Sequence, residues 1–185
     1  MYNINDDIER VMVSAEELDE TVTRVAKEID KDFPDPESKL LLLCILKGSV
    51  NFMGDLMKKI NRPVEIDFMR VSSYKNATTS SGTVEIILDI SRKDLSSIDI
   101  IIVEDIIDSG NTIAYLTKYL ALKGAKSVKV AALLDKPGRR QVNFKADYVG
   151  LEIEDEFVVG YGLDYDEKYR ALPYIGILKP RVYST

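Results

Sequence analysis

The residue types with the clearest chemical meaning lie close together in the middle of the chain. Glu104 and Asp105 are adjacent acids, and residues 108–112 (Asp-Ser-Gly-Asn-Thr) form a polar run with a glycine and two hydroxyls. Such a run at the beginning of a helix favours phosphate binding, because the first backbone N–H groups of a helix have no partner within it. Carboxylates instead suit sugar hydroxyls or Mg²⁺. The stretch therefore predicts an anion site with a hydroxyl or metal site beside it.

The alternative for this stretch is an ordinary helix start, in which Ser109 or Asp108 caps the helix and the two acids are solvated. Residues 98–103, directly before the acids, are apolar and typical of a buried strand. A buried strand that is followed by two acids and then by a polar helix start favours the anion site over an ordinary helix cap. The stretch contains no G-x-x-x-x-G-K-[ST] or G-x-G-x-x-G motif, which excludes a Walker A loop and a dinucleotide fingerprint there.

The composition restricts the chemistry further. The chain has no histidine and one cysteine, Cys44, which excludes zinc ligation and both Ser-His-Asp and Cys-His catalysis. A metal would have to be a hard, oxygen-bound ion such as Mg²⁺. Cys44 lies among apolar residues and is predicted to be buried. The net charge of −6 argues against broad nucleic-acid binding, although a local site can still attract a small anion.

The length and the apolar content predict one compact domain. The chain has 185 residues, of which 45% are hydrophobic, so it can form a sizeable core. Its apolar runs are too short to span a bilayer, and its acidic N-terminus does not resemble a signal peptide. We therefore expect a soluble cytoplasmic protein.

Apolar strands alternate with amphipathic helices along the chain. The clearest helix is expected from Ser14, which forms a capping box with Glu17. Helices are predicted at residues 14–31, 50–60 and 112–123, and strands at residues 40–46, 64–71, 83–90, 98–103 and 128–134, with two shorter strands within 148–161. The alternation predicts an α/β fold with a central parallel sheet flanked by helices.

Ligands of such sheets bind beyond the carboxyl ends of the strands. The loops after Leu46, Val103, Leu134 and Tyr161 should therefore lie along one edge. Residues 72–82 form a polar stretch of small residues that is long for a connection, and we expect it to act as a mobile lid. The alternative is a simple surface connection.

The whole pattern resembles a known family. The segment from Val103 to Thr112 resembles the motif with which type I phosphoribosyltransferases bind phosphoribosyl pyrophosphate (PRPP). Five other segments are similar to those of the bacterial hypoxanthine (hypoxanthine-guanine) phosphoribosyltransferases, in consistent order over about residues 8–183. These are Leu46-Lys47-Gly48-Ser49, Ser73-Tyr74, Leu134-Asp135-Lys136-Pro137, residues 157–165 (FVVGYGLDY) and residues 169–176 (YRALPYIG).

The resemblance implies transfer of 5-phosphoribose from PRPP to N9 of hypoxanthine or guanine, with Mg²⁺ as cofactor. Asp108 is implied as the general base, and Ser73 and Tyr74 as the part of the lid that closes over pyrophosphate. The other implied residues are Ser109, Gly110, Asn111 and Thr112 for the 5-phosphate; Glu104 and Asp105 for ribose hydroxyls or Mg²⁺; Lys47, Gly48 and Arg170 for pyrophosphate; Lys136, Phe157 and Val158 for the base; and Asp164 for a second Mg²⁺.

The resemblance also implies the organisation of the chain. It predicts a single domain of residues 1–185 with a small hood lobe from about residues 1–15 and 150–185. The family commonly has a cis peptide at the position of Lys47, and it forms dimers and tetramers. We therefore expect a homodimer or homotetramer, with PRPP, hypoxanthine and guanine as small-molecule substrates and no nucleic-acid or membrane partner.

The choice of base is expected to depend on Lys136 and on residues 157–164, which include Phe157, Val158 and Asp164. A lysine at a strand end can donate to the 6-oxo group of a purine, and the 6-amino group of adenine offers it no acceptor. The sequence does not distinguish hypoxanthine, guanine and xanthine. The ordinary alternatives are a solvated Lys136 and a core Phe157. A different class of function, a non-catalytic regulator that binds nucleotide and RNA, would need a basic surface, for which a chain at −6 shows no sign.

Two features depart from the family pattern. Gly138-Arg139-Arg140 has a glycine where bacterial relatives commonly have an acidic or polar residue, and we expect only local loop flexibility there. The C-terminal tail, residues 179–185, carries extra cations to which the resemblance assigns no role.

Overall fold

The computed structural model describes residues 3–74 and 83–183. Its helices are α1 (Ala15–Asp32), α2 (Val50–Lys59) and α3 (Asn111–Leu122), with short 3-10 helices at Ile4–Asp7, Pro137–Arg139 and Pro180–Val182. Its strands are β1 (Ile8–Val13), β2 (Lys39–Leu46), β3 (Glu65–Tyr74), β4 (Thr83–Leu88), β5 (Ile98–Ile107), β6 (Ser127–Asp135), β7 (Tyr148–Glu152), β8 (Val158–Val159) and β9 (Ile175–Leu178).

Six strands form the central sheet, in the order β4-β3-β2-β5-β6-β7. The pairs from β3 across to β7 are parallel, whereas β4 pairs antiparallel with β3 at one edge. The predicted fold class, a central and mostly parallel sheet flanked by helices, is therefore confirmed. The antiparallel edge strand is the difference from a purely parallel sheet, and such an edge is common in α/β folds.

Both faces of the sheet are covered, which explains its strand sequences. Helices α1 and α2 contribute to the core on one face, and α3 contributes to the core on the other. Strand β2 lies in the middle of the sheet, and its residues between Lys39 and Leu46 are all buried, Cys44 included. A strand that is buried on both faces has apolar residues at every position rather than at alternate positions.

Helix α1 begins as its sequence predicts. The backbone N–H of Ser14 donates to Oε2 of Glu17 at 2.7 Å, and the backbone N–H of Glu17 donates to Oγ of Ser14 at 3.2 Å. This reciprocal capping box satisfies two N–H groups at the helix start. The apolar stripe that contains Leu18, Val22 and Ile29 is buried against the sheet.

A second, antiparallel sheet has three strands in the order β1-β9-β8, and its buried residues Val13, Val158 and Ile177 join the core to which α1 and α2 contribute. The sequence analysis did not predict β1 or β9. Both are short, and β1 has a mixed burial pattern, so no periodicity marked them. The small sheet combines N- and C-terminal segments, although the exact limits of the hood stay a prediction. In the part of the chain that the structure describes, no helix is long and apolar enough to cross a membrane.

Candidate active site

The predicted loops meet at the carboxyl edge of the central sheet. Strand β2 ends there in a cis peptide between Leu46 and Lys47, as the resemblance implies. A Cβ atom on Gly48 would lie 1.5 Å from Oδ2 of Asp105, and one on Gly162 would lie 2.0 Å from the carbonyl oxygen of Gly48. Gly162 also has a φ of +104°, a conformation that favours glycine. Three segments from distant parts of the chain, two loops and the end of the strand that contains Asp105, therefore pack at distances that only glycine allows.

The two acids belong to β5 and not to the loop after it, which corrects the predicted strand end at Val103. The strand continues because its pairing with β6 continues through Glu104↔Ala132 and Ile106↔Leu134. The backbone N–H of Ile106 donates to Oδ1 of Asp105 at 2.7 Å. Oε2 of Glu104 is buried and has no hydrogen-bond partner among residues 3–74 and 83–183. A buried acceptor without a partner is costly, which indicates a group kept for a ligand.

The two acids also affect each other. Burial raises the pKa of Glu104 well above its usual range, and the negative charge of Asp105 raises it further. Burial likewise raises the pKa of Asp105, and its bonds to Glu104 and to the backbone partly counter the rise. A cation or a hydroxyl donor beside the pair would relieve both effects.

This burial predicts a stability effect of Glu104→Gln. Since the folded state holds the Glu104 proton to a higher pH than the unfolded chain, stability is lost as pH rises from the ordinary glutamate range towards the raised pKa. The glutamine variant lacks this titration. We expect equal unfolding temperatures near pH 4 and, at pH 8, a higher unfolding temperature for the variant than for wild type.

Calorimetric unfolding scans at both pH values measure this effect. Glu37→Gln, which removes a charge from an exposed residue before β2, is the matched control. A difference from wild type that does not grow with pH, or that the Glu37 variant reproduces, would contradict the prediction.

The carboxylates fit a hard cation only in part. Among residues 3–74 and 83–183, no three or more His, Cys, Asp or Glu side chains are grouped so that they could hold a metal ion. Asp164, the third predicted ligand, forms an ion pair with Arg170, whose Nη2 lies 2.9 Å from Oδ1 of the acid. Mg²⁺ is usually held by one or two carboxylates together with substrate phosphates. The orphaned Oε2 of Glu104 is consistent with such a shared site.

The predicted phosphate cradle forms the turn into α3. Gly110 precedes the helix with a φ of +80° in the left-handed region, and no side chain at that position caps the helix. The backbone N–H of Asn111 donates to Oγ of Ser109 at 3.3 Å, so Ser109 makes part of the contact that the capping alternative expects. Asn111 Nδ2 donates to Oε1 of Gln141 at 3.1 Å. The five residues 108–112 are thus together on one turn.

Arg140 holds this turn, and the sequence analysis missed its role. Its Nη1 donates to the carbonyl oxygen of Asp108 at 2.7 Å, and its Nη2 forms an ion pair with the buried carboxylate of Asp135. Arg139 pairs with Asp155 at 2.9 Å. Pro137–Arg139 is a 3-10 helix and both arginines pair with acids, while the expected local flexibility of this loop stays a prediction. Only the fold brings their acidic partners within reach.

The predicted base residues meet next to Asp108. Lys136 follows β6 and is only 8% exposed, so it is not a solvated lysine. Its Nζ donates to the carbonyl oxygen of Glu156 at 2.8 Å and lies 3.7 Å from Oδ1 of Asp108 and 3.6 Å from Oδ1 of Asp155. Phe157 is 42% exposed and is not a core residue. Val158 follows it in β8 and is buried.

Two of the predicted pyrophosphate residues, Lys47 and Arg170, form a charged network with Glu167. Nζ of Lys47 lies 3.0 Å from both carboxylate oxygens of Glu167, and Nη2 of Arg170 lies 3.2 Å from the same acid. These two cations lower the pKa of Glu167, with Lys47 as the larger cause. Nη1 of Arg170 donates to the carbonyl oxygen of Gly162 at 2.8 Å, and its buried Nε has no hydrogen-bond partner within the part of the chain that the structure describes. No spacing in the sequence singled out Glu167.

The structure describes only the first residues of the predicted lid, which spans residues 72–82. Its first residues, Ser72 to Tyr74, belong to strand β3 rather than to a loop. Residues 75–82 lie outside the described residues, as do the side chains of Ser73 and Tyr74. The closing role of Ser73 and Tyr74 therefore stays a prediction.

Comparison with known proteins agrees with the family resemblance of the sequence motifs. The family profile "Phosphoribosyl transferase domain" matches residues 14–166. The chain is 50% identical over 179 residues to the hypoxanthine-guanine phosphoribosyltransferase of Bacillus subtilis (strain 168), covering 97% of this chain and 98% of the relative. A crystal structure of a hypoxanthine phosphoribosyltransferase from Staphylococcus aureus superposes with a TM-score of 0.92 and 43% identity, covering 98% of this chain and 97% of that one.

Proposed function

Because the chain belongs to the phosphoribosyl transferase family, we propose that the carboxyl-edge site is its active site. The chain is an enzyme of purine salvage, which transfers the 5-phosphoribosyl group of PRPP to N9 of hypoxanthine or guanine and gives IMP or GMP and pyrophosphate. One observation carries the assignment to this site. The buried Lys136 lies 3.7 Å from Asp108, directly beside the turn into α3.

The turn into α3 is the proposed site of the 5-phosphate. The first backbone N–H groups of α3, together with the hydroxyls of Ser109 and Thr112, suit a phosphate, and the partial positive charge of the helix start favours an anion. The ribose hydroxyls then lie towards Glu104 and Asp105. The unpartnered Oε2 of Glu104 supports this, because a hydroxyl can donate to it.

Pyrophosphate is the proposed partner of Lys47, Gly48 and Arg170. Both cations are paired with Glu167, so the pyrophosphate group would compete with one carboxylate for them. The unpartnered Nε of Arg170 provides a further donor. Gly48 lets the backbone approach Asp105, so the pyrophosphate and ribose subsites are adjacent.

Enzymes of this family use Mg²⁺ with PRPP, and the finer assignment of its ligands is part of the proposal. Glu104 and Asp105 would hold one ion together with substrate oxygens, and Asp164 a second one near pyrophosphate. Bound Mg²⁺ neutralises charge on the pyrophosphate leaving group. Asp164 would have to exchange its ion pair with Arg170 for the metal, so its assignment is coupled to movement of that arginine.

The chemistry at the anomeric carbon needs positioning more than covalent help. As in glycoside hydrolysis, the transition state at C1 of the ribose has oxocarbenium character. The bond from C1 to a pyrophosphate oxygen breaks, and the bond from N9 to C1 forms. Asp108 takes the proton that the purine ring nitrogen loses, while Lys47 and Arg170 stabilise the negative charge on the departing pyrophosphate.

The choice of a 6-oxopurine rests on Lys136 in this proposal. Its Nζ donates to a backbone carbonyl in the described structure and has donors left for a 6-oxo group. Phe157 offers an exposed ring for stacking on the base. The backbone of Val158, next in the chain, is the proposed hydrogen-bonding partner of the purine.

Release of pyrophosphate from PRPP and Mg²⁺, compared across hypoxanthine, guanine, xanthine, adenine and uracil, tests the function. We expect turnover with hypoxanthine or guanine and none with adenine or uracil, because the 6-amino group of adenine offers Lys136 no acceptor and uracil has no purine N9. A reaction without Mg²⁺ is the control for the cofactor. Measurable PRPP binding without turnover of any base would contradict the enzyme and favour the non-catalytic regulator.

The self-association and the location of the protein stay predictions. The prediction of a homodimer or homotetramer rests on analogy with the family, whose members form such assemblies. The predicted cytoplasmic location rests on the apolar runs of the sequence, which are too short to span a bilayer.

A further inference from the structure

The C-terminal tail ends in an aromatic contact that the proposed mechanism does not use. The ring of Tyr183 stacks on the ring of Phe157, with 5.1 Å between centroids and 20° between planes. Tyr165 contacts the same ring edge-on, at 5.5 Å and 84°. Phe157 and Tyr183 remain 42% and 37% exposed, so their stack is not part of a closed core. The ring proposed to stack on the base is thus held by two tyrosines.

The tail is anchored by the cations that had no assigned role. The backbone N–H and Nζ of Lys179 donate to the carbonyl oxygens of Asp7 and Asp6, at 2.9 and 2.7 Å. Nη2 of Arg181 donates to the Asp6 carbonyl oxygen at 3.0 Å and lies 3.1 Å from Oδ1 of Asp7. The 3-10 helix Pro180–Val182 then leads directly to Tyr183. These contacts fix the start of the tail on the N-terminal 3-10 helix.

Phe157 itself lies next to the root of this tail. It directly precedes β8, and its carbonyl oxygen accepts from the backbone N–H of Leu178, at the end of β9. A ring that is exposed on a strand end has freedom about its side-chain torsions, and a parallel aromatic neighbour restricts that freedom. Binding is stronger when the bound orientation is already populated in the free protein.

We propose that Tyr183 is a positioning residue of the purine site: its ring stacks on Phe157 and holds that ring in the plane against which the purine binds. The inference rests on the proposed function, because it takes Phe157 as the stacking partner of the base. The tail cations Lys179 and Arg181 act through Tyr183 by anchoring it to the N-terminus. The C-terminus of the chain thereby contributes to base affinity without touching PRPP.

Steady-state kinetics of Tyr183→Ala test this role, with Tyr183→Phe as the matched control. Loss of one aromatic pair should raise the KM for hypoxanthine about threefold to tenfold. The KM for PRPP and kcat should stay within about twofold of wild type, since the variant leaves the phosphate subsites intact. Tyr183→Phe keeps the ring and should keep the wild-type KM. Arg181→Ala removes one contact that anchors the tail, and it should raise the KM for hypoxanthine less than Tyr183→Ala does.

Four results would each overturn the inference. An unchanged hypoxanthine KM in Tyr183→Ala would make the stack a surface contact without effect. A lower KM would mean that the tyrosine ring occupies the place of the purine. A parallel rise in the KM for PRPP, or a lower unfolding temperature that Tyr183→Phe shares, would indicate a general structural role instead.

Calorimetric binding of GMP separates this inference from the proposed function. It needs no turnover, and we expect the same threefold to tenfold loss of affinity in Tyr183→Ala, roughly the value of one aromatic contact. Wild-type protein that binds GMP but converts no base would contradict the proposed function while the GMP comparison still decides the role of Tyr183. Equal GMP affinities in an active enzyme would contradict the positioning role alone.

Discussion

Replacement of Asp108 by asparagine is expected to lower kcat for IMP formation by about 10²–10⁴-fold, the usual contribution of a general base. Asparagine has nearly the same shape as aspartate but cannot take the proton that the purine loses. The contact that holds this residue uses its backbone, since Arg140 donates to the Asp108 carbonyl oxygen at 2.7 Å, so the turn should remain in place. The KM for PRPP and the affinity for PRPP should therefore change little.

Steady-state kinetics and calorimetric titration with PRPP and Mg²⁺ together check this expectation. Glu37→Gln is the matched control, because it removes one carboxylate charge from the opposite end of β2. An equal loss of turnover and PRPP affinity in Asp108→Asn would make Asp108 a structural residue of the turn. A kcat near wild type would remove it from proton transfer.

Lys136→Gln should give the second largest effect, a decrease of about 10–100-fold in kcat/KM for hypoxanthine. Hydrogen bonds that involve a charged group contribute about 1.5–3 kcal/mol, which corresponds to this range. The lysine is buried and lies within 3.7 Å of Asp108, whereas glutamine is shorter and neutral. The phosphate turn is formed by a different loop, so the KM for PRPP should stay within about twofold.

The measurement compares hypoxanthine and adenine as substrates for the variant. Because a glutamine carbonyl can accept from a 6-amino group, the preference for hypoxanthine over adenine should narrow. Lys145→Gln, in the exposed segment between β6 and β7, removes a charge of the same sign and is the control. Unchanged hypoxanthine kinetics in Lys136→Gln would remove this lysine from the base site.

Much of the fold could be predicted from short-range patterns. The capping box at Ser14 identified the start of α1, and the uninterrupted apolar run at residues 40–46 identified β2 as a strand. These predictions succeeded because a helix cap and strand burial depend on residues a few positions apart. Strand β5 extended past its predicted end, because pairing with β6 continued through two acids that local preference excludes from strands.

The site was predicted as a set of separate segments. The sequence identified the turn at residues 108–112, and the order of parallel strands implied that it lies beside the loops after β2 and β6. The structure brings Asp108 and Lys136 within 3.7 Å, as that argument requires. It also brings Gly48 against Asp105 at a distance that excludes any side chain on the glycine.

Taken by itself, the sequence restricted the class of chemistry: without histidine and with one cysteine, it excluded zinc ligation and both Ser-His-Asp and Cys-His catalysis. It also located most strands of the central sheet and the beginning of the turn into α3. The tertiary structure decided the partners: Glu167 for Lys47, Arg140 for the Asp108 backbone, and Tyr183 for Phe157. Contacts of this kind depend on strand order and loop packing, so no local spacing in the sequence predicts them. Strands β1 and β9 were not predicted for the same reason, because they are defined by their pairing with each other across the length of the chain.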